Sequence, residues 1–198
     1  MSTDLSDGMR AATVQGKYIE VMIEGDTVYI DDAMVTTADI ECSNGVIHVI
    51  DTVIVPKDNI VETAIVNEDF ETLVTAVVAA GLDTTLSDES AQFTVFAPTD
   101  EAFAKLDTAF LNNLVNNDTT NLTKILTYHV VQGVVLSTDL SDNMTAATIE
   151  GTDITIQIMD ESVYIDEAMV TTADVECSNG VIHIIDTVSY THLRAHET

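Results

Sequence analysis

The sequence predicts an α+β fold, and three observations carry that prediction. Apolar residues recur at helical spacing through Phe70–Val78, then alternate with polar ones through Ile149–Ile165. Helices first and strands afterwards is the order of an α+β domain with an antiparallel-rich sheet system. The strand-rich stretch also occurs twice: Ser2–Val53 returns as Ser137–Val188, at a constant offset of 135 positions and without a gap. About two-thirds of the paired residues are identical. A period this long is a whole domain and not a solenoid turn. The expected organisation is therefore the carboxy-terminal half of one domain over 1–56, a nearly complete second domain over 57–188, and a tail over 189–198.

The complete unit predicts its elements in order. Phe70, Leu73, Val74, Val77 and Val78 share a helical face, and Gly81 follows as a left-handed terminator. Phe93–Phe96 reads as a short strand broken by Pro98 and Thr99. Thr99 caps a new helix whose first turn holds Asp100 and Glu101. Phe103, Leu106, Phe110, Leu111 and Leu114 anchor the next helices. Asn116–Thr120 is a polar loop, and Asn121 is the expected cap of a helix running to Tyr128. Ile154, Ile156, Ile158, Val163 and Ile165 then alternate, with turns at Gly151 and Asp160–Ser162. Val181–Ile185 closes the unit after the turn Ser178-Asn179-Gly180. His48 and His183 stand at alternating positions of buried strands.

Hydrophobic content of 46% suits an ordinary globular core. No stretch approaches the ~20 apolar residues that span a bilayer, so no membrane insertion is expected. Met1 falls where the repeat has Leu136, so the natural amino terminus is expected upstream, and the lack of a visible signal peptide does not indicate a compartment. Thirty-four acidic residues against six basic ones give a net charge of −28. That excludes nucleic acid and anionic lipid as partners, because phosphates require a basic footprint. Two accounts of the acidity stand: a solvated surface, or adaptation to the screening of salty, marine-like water.

Cys42 and Cys177, one per repeat, exclude a disulfide scaffold within either unit. Each lies in a half-apolar stretch and reads as a small buried hydrophobe, with a reactive thiol as the alternative. No metal-ligand spacing and no cofactor motif is present. Asp139 and Asp142, with their copies Asp4 and Asp7, could gather calcium, but no EF-hand loop surrounds them. A solvated loop is the other reading. Asn117, Asn121 and Asn143 open glycosylation sequons. The tail holds two of the five histidines and one of two arginines. It is similar to a translated transposase adapter from sequencing libraries, so His192, Arg194 and His196 are set aside as site candidates.

Three strings carry a family resemblance: F-T-V-F-A-P-T-D-E-A-F (Phe93–Phe103), I-L-T-Y-H-V-V-Q-G (Ile125–Gly133) and N-G-V-I-H-I-I-D-T-V (Asn179–Val188). In order and spacing they resemble the signature regions of the fasciclin-type domain. The structural motif residues on them are Pro98, Thr99, Asp100, Asn179, Gly180 and His183. The resemblance covers Lys57–Val188, and Ser2–Pro56 as the end of a preceding copy. It implies a helical region packed on a wedge of two β-sheets, and a non-catalytic extracellular or cell-surface adhesion module, often in tandem. Partners would be a protein, a matrix polymer or a second copy. The tyrosine–histidine pair implicated in integrin-mediated adhesion of animal members falls on Tyr128 and His129. The family's aspartate–isoleucine element falls on Asp174 and Val175, and on Asp39 and Ile40 in the partial copy. Thr172, Ala173 and Glu176 depart from the flanking residues of that element.

For His129 the other reading is a partly buried ring bonded to a side chain such as Asp100. For Asp174 it is a turn or strand-end residue. A ligand-binding or enzymatic role grafted on the scaffold is the alternative function. A pocket with charged groups of shifted pKa would support it.

Overall fold

A computed structural model describes residues 1–189. The chain divides into two compact units, Met1–Lys57 and a second beginning at Asp58.

The first unit is an antiparallel meander of β1 (Met9–Ala12), β2 (Tyr18–Glu24), β3 (Thr27–Ile30), β4 (Ala33–Cys42) and β5 (Gly45–Ile50), in that order. Two-residue turns at Gly25-Asp26, Asp31-Asp32 and Ser43-Asn44 join its last four strands. Strand β5 ends the sheet. Its Val46, Ile47 and Val49 are exposed, as is Cys42, so the buried-hydrophobe expectation fails here and His48 is only half-buried.

The second unit begins with helices α1 (Ile60–Val66), α2 (Glu71–Ala79) and α3 (Asp83–Leu86). Asn59 and Glu62 form a reciprocal cap on α1, each side chain accepting the other's backbone amide. Gly81, at φ +68°, turns the chain out of α2. Strand β6 runs Phe93–Pro98, through the proline expected to break it. Thr99 then caps α4 (Asp100–Ala104) by accepting from the Ala102 amide. Asp107 caps α5 (Thr108–Asn116), and Asp118 caps α6 (Thr119–Tyr128). The cap therefore falls three residues before the expected Asn121, whose own amide donates to Asp118. Asp118 wins because its carboxylate also holds the Asn121 side chain.

The strands β7 (Val130–Gln132), β8 (Thr145–Ala147), β9 (Asp153–Met159), β10 (Ser162–Ile165), β11 (Ala168–Cys177) and β12 (Gly180–Ile185) follow. Their order with β6 is β7-β6-β12-β11-β10-β9-β8, antiparallel except for the parallel pair β6–β12. A bulge in β11 around Asp174 divides this run into two leaves. The helices cover one leaf through Phe70, Leu73, Phe103, Leu122 and Ile182. A second core of Phe96, Tyr128, Ile154, Ile156, Ile165 and Ile185 fills the space between the leaves. This is the expected helical region packed on two β-sheets. Strands β8–β12 reproduce the order of β1–β5, and the copy that follows in sequence, Ser137–Val188, is the one that pairs with β6.

Candidate functional site

Tyr128 ends α6 and His129 follows it, so both side chains point into the packed interior and both are 5% exposed. The Tyr128 hydroxyl donates to Asp166 at 2.7 Å. His129 Nδ1 lies 2.7 Å from the Ile125 carbonyl, which can only accept, so Nδ1 carries the proton. Nε2 accepts the Ser189 amide at 3.0 Å. Burial pushes the His129 pKa below the ordinary histidine value, outweighing the Ile125 carbonyl and the Asp166 charge. The ring is thus neutral and fully used. Asp100 is not its partner. That carboxylate accepts the Thr72 amide at 2.7 Å and so ties α2 to α4.

Asp174 sits in the β11 bulge at φ +57°. Its carboxylate accepts both the amide and the hydroxyl of Ser137, and its own amide donates to His183 Nδ1 at 3.3 Å. Burial raises the Asp174 carboxyl, but the Ser137 bonds, aided by His183, outweigh it and hold the pKa below the ordinary value. Asp39 repeats the arrangement with Ser2 and His48 at φ +59°. Asp174 therefore latches the strand bulge to the chain leaving β7. Val175 packs against the helical core, whereas Ile40 is exposed. Thr171–Ala173, next to the bulge, face solvent.

The Asn179-Gly180-His183 stretch is interior. Asn179 is wholly buried and fastens two helices: its oxygen accepts the Ile60 amide, and its amide donates to the Leu86 and Asp88 carbonyls. Gly180, at φ +150°, lies against β6, and a Cβ there would overlap the Phe93 carbonyl. His183 stacks on Phe96 and bonds the Val135 carbonyl.

An apolar recess of roughly 580 Å³, open mouth included, lies beside His129 between α1, α2 and β6. Ile60, Val61, Leu73, Val77 and Ile182 line it, and no carboxylate or cysteine does. Asp139 and Asp142 accept the Leu136 and Ile158 amides. Among the described residues, no cluster of three or more His, Cys, Asp or Glu could hold a metal, and no helix is long and apolar enough to cross a membrane. Sequence reasoning missed Ser137 and Asp166, although the pairs Ser2/Asp39 and Ser137/Asp174 share one spacing in both copies.

A helical layer on two sheet leaves, sealed by a buried Tyr-His and Asn-Gly pair, defines a structural module whose polar groups serve its own fold. The chain matches the fasciclin domain over residues 1–56 and 68–190 and belongs to that family. It is 47% identical over 130 residues to Uncharacterized protein sll1735 of Synechocystis, covering 66% of this chain and 96% of that protein. Identity to the transforming growth factor-beta-induced protein ig-h3 of Oryctolagus cuniculus is 35% over 161 residues, 80% of this chain and 23% of the relative. The structure of the FAS1 domain pair from the insect cell adhesion molecule Fasciclin I superposes with a TM-score of 0.63. That match covers 87% of this chain and 67% of the other at 24% identity, and it establishes the shared fold. Fasciclin domains are a non-catalytic fold of adhesion proteins.

Proposed function

We propose that the chain is a non-catalytic adhesion module, displayed outside the cell or on its surface, that binds a protein or matrix polymer through its exterior. One observation carries this reading within the family: Tyr128, His129, Asp174 and His183 are all engaged by internal hydrogen bonds. Contact with a partner then falls to exposed positions such as the rim Thr171–Ala173, which adjoins the Asp174 bulge. The gapless repeat and the family match over residues 1–56 support tandem domains, with Ser2–Pro56 as the carboxy-terminal half of another copy. The composition of 189–198 supports an adapter origin for that tail; apart from Ser189 it lies outside the described residues.

Beads coated with the protein test the reading, scored in seawater-level salt for clumping and for capture of matrix proteins and polysaccharides. Thr172→Arg, which changes only an exposed position, should reduce adhesion with the fold intact. Asp174→Ala should reduce it by releasing the bulge. Beads that neither clump nor capture any polymer would refute adhesion, and a fully adhesive Thr172→Arg protein would remove the rim.

A further inference from the structure

The recess beside His129 is walled by the second unit alone, and adhesion at the rim makes no use of it. Val61 and Ala64 of α1, Val74 and Val78 of α2 and Ala97 of β6 are among its lining residues. All are short side chains, so the elements meet without filling the space between them, in contrast to the close packing of an ordinary interior. With its mouth included the recess measures roughly 580 Å³, within the roughly 300–1,000 Å³ of small-molecule sites. Among the described residues that line it, His129 alone has a polar side chain, and both ring nitrogens are taken, by the Ile125 carbonyl and the Ser189 amide. Water inside finds no partner there, the condition under which an apolar molecule displaces it readily. The apolar surface also continues outwards. Val78, on the wall, is 58% exposed, and Ile65, one turn along α1 from Val61, is 61% exposed.

Charge decides the head group of a ligand. Residues 58–104, which supply α1 to α4 and β6, carry ten acidic residues and no lysine, arginine or histidine. A carboxylate or phosphate brought to the mouth would meet that field with no cation from those elements to receive it. No carboxylate lines the recess either, so a cationic head finds no partner in it. We propose that the recess binds the hydrocarbon chain of an uncharged lipid-like molecule, an alkyl or isoprenoid alcohol, as a second activity of the domain independent of adhesion. The chain lies between α1, α2 and β6, and the hydroxyl stays at the mouth in water.

The test follows the methyl resonances of the full chain by nuclear magnetic resonance during titration with 1-decanol, geraniol and decanoate. Decanol or geraniol should give saturable shifts at Val61, Val74 and Val78, the tighter of the two identifying the chain type. From hexanol to decanol each methylene should tighten binding about fourfold. Decanoate should bind at least about tenfold more weakly than decanol. Ala64→Leu, which fills the recess at a half-buried position, should weaken decanol at least about tenfold. Val78→Glu, at the exposed mouth, should do the same without touching the core. Shifts that never saturate, or that persist in both variants, would overturn the proposal, as would decanoate binding as tightly as decanol. Contacts of the recess methyls with residues 190–198 in the ligand-free chain would give the recess to the chain's own end. Sedimentation with phosphatidylcholine vesicles, abolished by Val78→Glu, would make the apolar mouth a membrane contact. Either result also overturns it.

Discussion

Asn179→Ala and Asn44→Ala make the same chemical change within the same hexapeptide, S-N-G-V-I-H, and should differ sharply in cost. Asn179 is wholly buried and makes three hydrogen bonds. Alanine removes them and strands the Ile60 amide at the start of α1 and the Leu86 carbonyl at the end of α3. At about 1 kcal/mol net per bond, with roughly 1–3 kcal/mol for a buried group left unpaired, the loss is about 3–5 kcal/mol. That is a large share of the ~5–15 kcal/mol that holds a domain folded. Asn44 is exposed, so its truncation should change stability by no more than about 0.5 kcal/mol. Urea unfolding followed by circular dichroism on both variants, with slopes compared before midpoints, measures the difference. A loss under about 1 kcal/mol for Asn179→Ala, or equal losses for the two, would refute the account of Asn179 as the clasp between helices and sheet.

Three further outcomes are expected. The unfolded chain protonates His129 near pH 6.5 and burial holds the folded chain's pKa lower, so stability falls as pH drops below about 6.5. Between about pH 7 and 5 the wild type should lose more stability than His129→Gln, and parallel pH profiles would disprove a buried neutral ring. The β9–β10 turn holds Asp160 and Glu161 at φ +48° and +66°, a conformation suited to glycine at the second position. Glu161→Gly should therefore raise stability by about 0.5–1 kcal/mol, relief of left-handed strain exceeding glycine's entropy cost, and a thermal melt showing no gain would contradict it. With a net charge of −28, the melting temperature should rise from low to seawater-like salt as repulsion is screened; a flat or falling curve removes salt adaptation as the explanation of the acidity.

Class, element order and repeat were legible because each rests on local pattern: helical spacing over Phe70–Val78, alternation over Ile154–Ile165, Thr99 before two acids. The errors came from competition between neighbours. Asp118 and Asn121 are both good caps, and only the folded turn shows Asp118 holding the amide and side chain of Asn121. Pro98 could extend β6 because it is the strand's last residue, paired with the terminal Ile185 of β12. Burial of Cys42 and His48 was misjudged because identical sequence does not ensure an identical environment. The cover on Cys177 and His183 comes from residues 58–136, far away in the chain. Distant partners of that kind, such as Asp166 for Tyr128 across 38 positions, leave no local periodicity.

The same separation of sequence from environment bears on how adhesion variants are to be interpreted. Tyr128 and His129 look like contact residues when aligned with the family's motif, but each presents its polar atoms inward. Loss of adhesion in Tyr128→Ala would therefore reflect a cavity between the leaves and the release of Asp166, which also accepts the Thr155 amide and so anchors the β10–β11 turn to β9. Tyr128→Phe separates the two causes. It keeps the ring in the core and removes only the 2.7 Å bond to Asp166. If the rim Thr171–Ala173 makes the contact, a folded Tyr128→Phe protein should adhere normally while unfolding earlier in urea. If it adheres poorly while matching the wild type in stability, the hydroxyl itself would have to reach the partner, which requires the leaves to open.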